Sequence, residues 1–205
     1  MVFIVIEGID GSGKTTQTNA LCRSLSKLGY HVSEEKEPTD GPIGKFIRQV
    51  LKEDVRLDLI SLQLLFVADR NEHIKAIKRA IESSIVICDR YYYSTIAYGE
   101  ASGIDRKYLN ELNSIFPVPD KTFFIDLSPE KAVARLNSSR TKREIFEKLD
   151  FMKKISKSYS KFTDVNIEHI DGDMEIDKIT DELLSRTRTF LEGHGIRPDP
   201  VKTKR

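Results

Sequence analysis

The sequence predicts a three-layer α/β fold: a five-stranded parallel sheet covered by helices on both faces, with a short basic lid. Three observations predict it. Short apolar runs of strand length recur along the 205 residues. Between them lie longer stretches with apolar residues every three or four positions, the period of a helix with one buried face. The first run passes through a glycine-rich turn directly into the first such stretch, as in the strand–turn–helix units that build parallel sheets.

The elements follow in order. Residues 2–7 are the first apolar run and 8–13 the turn. Residues 14–28 read as a helix, with Leu21, Leu25 and Leu28 on one face and Gly29 as its stop. Residues 30–36 read as a second strand, and Pro38, Gly41 and Pro42 mark a loop before a short helix at 43–52. Asp58 is placed to cap a long helix reaching about residue 82. Residues 84–88 form a buried strand ending at Asp89. Helices at 92–101 and 105–116, a strand at 121–127 and a helix at 129–136 come next. Residues 138–148 are polar and strongly basic, and Ile145, Leu149, Met152, Ile155 and Tyr159 then give a helical stripe. A strand at 165–170 and a helix at 176–191 complete the series. The expected organisation is one domain over 1–192, its lid at about 137–148, and a Gly/Pro/basic tail at 193–205 that frays.

Composition narrows the partners. Hydrophobic residues make up 39% and charged residues 32%, with a formal net charge of +1. That balance gives no field for nucleic acid or a membrane surface, and the expectation is that neither is a partner. No apolar run is long enough to span a bilayer. The N-terminus has neither the basic n-region nor the cleavage site of a secretory signal. The two cysteines, Cys22 and Cys88, fall in apolar stretches and read as small buried residues in a reducing compartment. A soluble, cytoplasmic protein is expected.

The turn itself carries chemistry. Gly8-Ile9-Asp10-Gly11-Ser12-Gly13-Lys14-Thr15 matches G-x-x-x-x-G-K-[ST]. Glycines let consecutive backbone N–H groups face a phosphate chain, and the helix that follows points its positive end at the same place. Lys14 can reach β- and γ-phosphates, and the Thr15 hydroxyl can ligate Mg²⁺. With Thr16 this segment is the expected ATP site of a P-loop NTPase fold. The strand at 84–88 ends in Asp89-Arg90, where a carboxylate suits the Mg²⁺ shell and an arginine suits a second anionic ligand facing ATP. Phe66 and Arg70 are four apart on one helical face, an arrangement that can stack a base and grip its polar edge. Tyrosines at 91, 92, 93 and 98 follow directly after Arg90.

Residues 8–17 (GIDGSGKTTQ), Glu37-Pro38, Leu64-Leu65-Phe66-Val67-Ala68-Asp69-Arg70 and Asp89-Arg90-Tyr91-x-x-Ser94-Thr95-x-Ala97-Tyr98 together resemble the ordered motif set of thymidylate kinases. The likeness covers nearly the whole chain. It departs from the common pattern at Lys36, where many relatives carry Arg, and in the loop 39–42. It implies ATP-dependent phosphorylation of dTMP to dTDP, for dTTP supply, by a homodimer. It implies that Phe66 stacks on thymine, Arg70 reaches a carbonyl and Thr95 reads the N3 edge. Asp10 would lie near the 3′-hydroxyl, and Tyr98 would crowd the 2′ position. Arg90, helped by Arg48, would hold the acceptor phosphate, with Glu37 and Ser94 in the same acceptor set. Neither Asp10 nor Ser12 supplies a loop arginine. The lid is therefore expected to supply the transition-state cation, from Arg140 or Arg143. Two readings stay open beside this one: a kinase of the same fold for another nucleoside monophosphate or a deoxynucleoside, and a regulatory P-loop NTPase. The absence of an Asn-Lys-x-Asp guanine motif counts against the second.

Overall fold

Phe3–Glu7 forms β1, an unbroken buried run. It ends in the phosphate-loop turn, which leads into α1 (Lys14–Lys27). The computed structural model describes residues 2–139, 146 and 148–199. After α1 come β2 (Val32–Lys36), α2 (Pro42–Leu51), α3 (Leu59–Ala80) and β3 (Ile85–Asp89). Then follow α4 (Tyr92–Ala101), α5 (Arg106–Asn113), β4 (Lys121–Asp126), α6 (Pro129–Ser139), α7 (Leu149–Tyr159), β5 (Ile167–Asp171) and α8 (Ile176–Gly193). The strands make one five-stranded sheet in the order β2-β3-β1-β4-β5, every pair parallel.

Alternation along β1 sorts the helices onto two faces. Ile4 and Ile6 pack with Leu21 and Leu25 of α1 and Leu183 and Leu191 of α8. Phe3 and Val5 point the other way, toward Ile74 and Ile77 of α3. A third cluster joins α2, α4 and α7 through residues such as Ile47, Ile96 and Ile155. The order also fixes where ligands go. β1 lies between β3 and β4; the chain fills one side of it with β2 and β3 before crossing to the other for β4, so a crevice opens at the carboxyl ends of the strands.

Local signals explain most boundaries. Asp58 caps α3 by accepting the Ser61 N–H at 2.9 Å, and Asp105 caps α5 by accepting that of Tyr108 at 2.9 Å. The differences lie at ends. The final strand begins at Ile167, not at residue 165, because Val165 is fully exposed and pairing starts with Ile167 opposite Thr122. Helix α5 stops at Asn113, whose side chain turns back to the Leu109 carbonyl at 2.8 Å. The tail expected to fray folds back instead as far as residue 199. Ile196 packs on the α1/α8 core, and the Asp199 N–H donates to the Gly29 carbonyl at 3.0 Å. Residues 200–205 lie outside the described residues. Among the described residues no helix is long and apolar enough to cross a membrane.

Candidate active site

The phosphate loop holds its shape through backbone conformations that side chains resist. Gly8, Gly11 and Gly13 all have positive φ. At Gly11 (φ 80°) a Cβ would also meet the Ala132 carbonyl oxygen at 2.6 Å, so both geometry and space demand glycine. Lys14 is 5% exposed and donates to the Ile9 carbonyl at 2.8 Å. Burial, then repulsion from Arg90, brings its pKa down to about 8, against the pull of Asp10, Asp89 and Glu7.

At the next residue, the Thr15 hydroxyl donates to Asp89 Oδ2 at 2.5 Å. Asp89 Oδ1 is buried with no hydrogen-bond partner among the described residues, and the same is true of Ser12 Oγ. A buried carboxylate oxygen left unpaired beside a threonine hydroxyl fits a hard cation that takes its remaining ligands from water and phosphate.

Arg90, the next residue, has φ 72°, left-handed backbone that a non-glycine residue adopts at a cost. Its Nη1 donates to Ser94 Oγ at 2.8 Å and to the Gly8 carbonyl at 3.4 Å, and its Nη2 pairs with Asp10. Tyr98 completes the group. Its hydroxyl donates to Asp10 Oδ2 at 2.8 Å, and its ring lies 5.3 Å below the guanidinium carbon.

The far wall is one face of α3. Arg70 is 1% exposed. Its Nε donates to Glu37 Oε2 at 2.8 Å, its Nη1 to Asn113 Oδ1 at 2.6 Å and its Nη2 to Thr95 Oγ1 at 2.9 Å. Glu37's other oxygen faces His73 Nδ1 at 3.1 Å, and His73 Nε2 meets Glu35 at 2.9 Å. Burial alone would make His73 less basic, but hydrogen bonds to Glu35 and Glu37 outweigh it and hold the pKa up at about 9. Asp69 accepts the N–H and hydroxyl of Thr39, each at 2.7 Å. Arg48 donates to the carbonyls of Pro38 and Thr39 at 2.9 and 2.7 Å. Helix α2 seats close under this loop because residue 44 is glycine; a Cβ there would meet the Thr39 carbonyl oxygen at 2.0 Å.

The two walls share one cleft of about 690 Å³. Phe66, half-buried, lines it together with Asp10, Arg90, Thr95 and Tyr98. The structure thus brings most of the phosphate-loop residues and the acceptor residues expected from the sequence to a single cavity, while Gly8, Ile9 and Ser12 do not line it. Arg140 and Arg143 lie outside the described residues.

Comparison with known proteins agrees with this geometry. A family model described as thymidylate kinase matches residues 6–183. The chain belongs to the thymidylate kinase family. A probable thymidylate kinase of Pyrococcus horikoshii is 41% identical over 170 residues, covering 80% of this chain and 83% of the relative. That of Thermococcus kodakarensis is 35% identical over 202 residues, covering 93% and 98%. A solved thymidylate kinase structure from Candida albicans superposes with a TM-score of 0.76 at 30% identity, covering 92% of this chain and 91% of the other. As a member of the thymidylate kinase family, the chain is an ATP-dependent phosphotransferase that converts dTMP to dTDP.

Several residues of this thymidylate kinase site escaped sequence reasoning. His73 lies three positions after Arg70 on the same helical face, a signal that was present. Glu7 is an acid closing an otherwise apolar strand, which is also a visible anomaly. Phe146, buried edge-to-face on Tyr98 with ring centroids 5.4 Å apart, lies within the basic segment and reads as one more apolar residue. Asn113 and Arg135, the latter lining the cleft and donating to the Gly172 carbonyl at 3.1 Å, give no sequence signal.

Proposed function

We propose that ATP and dTMP lie end to end in the cleft, ATP phosphates on the loop 8–15 and dTMP against α3, with Arg90 at their junction. The position of Arg90 carries this reading. One guanidinium touches the donor loop at Gly8 and Asp10 and the acceptor wall at Ser94 and Tyr98. A cation so placed grips the acceptor phosphate and draws it into line with the γ-phosphorus. An acceptor phosphate oxygen attacks that phosphorus, the bond to the β–γ bridging oxygen breaks, and ADP leaves with the electron pair as dTDP forms. The attacking oxygen is already anionic, so no strong general base is needed.

Lys14 and the loop amides hold the β- and γ-phosphates. Thr15 and Asp89 would hold Mg²⁺, which supplies charge neutralisation at those phosphate oxygens. On the acceptor side Phe66 stacks the base and Thr95 faces its N3 edge. In Arg70 the Nε and Nη2 hydrogens are committed to Glu37 and Thr95, and Nη1 gives one to Asn113. The second Nη1 hydrogen is the one offered to a base carbonyl. Asp10 stands near the 3′-hydroxyl, Tyr98 crowds the 2′ position, and Arg48 and Glu37 shape the loop beside them. The transition-state cation is assigned to Arg140 or Arg143.

The homodimer reading rests on α3. Ile60, Leu64 and Ala68 are exposed at a spacing of four, a continuous apolar stripe on one side of the helix. Leu64→Glu is expected to convert a dimer to a monomer in analytical ultracentrifugation. A cytoplasmic location is supported by the two buried free thiols.

A coupled assay of ADP formation tests the acceptor assignment. The expected ranking is dTMP first, dUMP behind it and purine monophosphates far behind. Preference for AMP, GMP, UMP or an unphosphorylated nucleoside would overturn it.

A further inference from the structure

Glu7, the last residue of β1, has no accessible surface, and the transfer scheme above gives it no task. Its oxygens are nevertheless filled from three directions. Oε1 accepts the backbone N–H of Tyr91 at 2.8 Å and that of Ser94 at 3.1 Å. Oε2 accepts the Ser94 hydroxyl at 2.7 Å and the Tyr159 hydroxyl at 3.0 Å. The first pair of donors belongs to the start of α4, which offers no capping side chain of its own at Tyr91. A carboxylate from the neighbouring strand therefore does the capping.

These contacts surround Arg90. The Arg90 N–H is held by the Ile6 carbonyl at 3.0 Å, its carbonyl by the Cys88 thiol at 3.1 Å, and the next N–H by Glu7. The backbone at φ 72° is thus clamped on both sides. The side chain is held by the same group, because the Ser94 hydroxyl that accepts from Arg90 Nη1 donates its own hydrogen bond to Glu7 Oε2. Tyr159, near the C-terminal end of α7, reaches both Glu7 and Ser94, the latter at 2.9 Å.

We infer that Glu7 is a positioning residue for phosphoryl transfer. It fixes both the left-handed backbone and the guanidinium direction of Arg90, and through Tyr159 it ties that placement to α7, the helix that follows the basic segment. The inference rests on Arg90 as the acceptor-phosphate ligand.

Steady-state kinetics of Glu7→Gln, Tyr159→Phe, Arg90→Ala and the double variants test it, with thermal midpoints alongside. Gln keeps the shape and the oxygen that caps α4 but replaces the acceptor that serves the two hydroxyls. Glu7→Gln should lower kcat/KM for dTMP by about 10- to 100-fold, the loss expected when a hydrogen bond to a charged group goes. The KM for ATP should stay within about twofold, because the Glu7 hydrogen bonds go to Tyr91, Ser94 and Tyr159 and none to the phosphate loop. Tyr159→Phe, which preserves packing, should show the same pattern at about three- to tenfold. In the Arg90→Ala background both substitutions should add less than about twofold, since residues acting through one group are not additive. If Arg90→Ala leaves dTMP kinetics unchanged, the Arg90 reading fails and this inference falls with it. If Arg90→Ala is severe while Glu7→Gln is normal, or harms ATP and dTMP parameters alike in proportion to lost folded protein, only the role of Glu7 is overturned. Should Glu7→Gln not fold, a normal Tyr159→Phe is sufficient to reject the coupling.

Discussion

Arg70 and Glu37 form an ion pair in which Nε and Nη2 of the arginine both reach the same carboxylate oxygen, at 2.8 and 2.7 Å. Neither side chain is more than 5% exposed. Removing one partner strands the other charge. Glu37→Gln is therefore expected to cost about 3 kcal/mol of unfolding free energy, the low end for a broken buried pair because Thr95 and Asn113 stay. Urea unfolding measures this, and a loss under about 1 kcal/mol would show that the pair is not the anchor of Arg70. The KM for dTMP should rise in the same variant.

The same carboxylate makes stability depend on pH through His73. Its folded pKa of about 9 lies above the ordinary 6.5, so its stabilisation is fully present below about pH 6.5 and fades as pH rises through 9. Between those limits up to about 3 kcal/mol is at stake. Unfolding curves of the parent should weaken over this window relative to His73→Asn, which does not titrate. Parallel curves would refute the assignment. The contact also has an acid limit. The hydrogen bond with His73 holds the Glu35 carboxyl below its usual range, and protonation of that group removes the pairing.

Lys14 predicts a proton flux on nucleotide binding. With its pKa lowered to about 8, roughly half of the free enzyme carries a neutral amine at pH 8. Phosphates favour the ammonium, so ATP binding should take up about half a proton there and almost none at pH 6.5. Calorimetry in two buffers of different ionisation enthalpy reads this directly. Uptake should vanish in Lys14→Met, and proton release by the parent at pH 8 would contradict the prediction.

On the proposed reading, Phe66 and Tyr98 separate base from sugar recognition. Stacking on an aromatic ring is worth about 1–3 kcal/mol per base, so Phe66→Ala should weaken dTMP binding by about 10- to 100-fold. Tyr98→Ala should improve acceptance of ribonucleotides. Tyr98→Phe should not improve it, but it loses the hydroxyl contact with Asp10 and should slow turnover modestly. Competition binding with dTMP, dUMP and UMP distinguishes the variants, and equal discrimination in all three would end the steric reading of Tyr98.

The sequence made the fold legible where one physical rule governed a segment. The run at 85–88 is apolar because both faces of its strand are covered, and Gly8, Gly11 and Gly13 announce a loop that turns around phosphate. Phe66 and Arg70 were found because four residues return a helix to the same face. Asn113 was hidden because it reaches Arg70 from 43 positions away, and no local pattern encodes such a contact. Glu37 was legible as a site residue, but its use was not. Sequence alone cannot show that both oxygens are taken by Arg70 and His73 before any substrate arrives.

The ladder pairs Ile6 directly with Asp89. The donor loop begins two residues beyond the first, and the acceptor cation one residue beyond the second. Adjacent strands stand about 4.8 Å apart, a spacing set by peptide hydrogen bonds and not by side chains. On the proposed reading, the spacing between the donor loop and the acceptor cation is therefore set by the main chain, like the jaw width of a calliper. The proposed base-stacking residue, Phe66, stands separately, on α3. Acceptor preference can thus drift or be re-engineered at Phe66 and its neighbours while the transfer distance stays as the sheet made it.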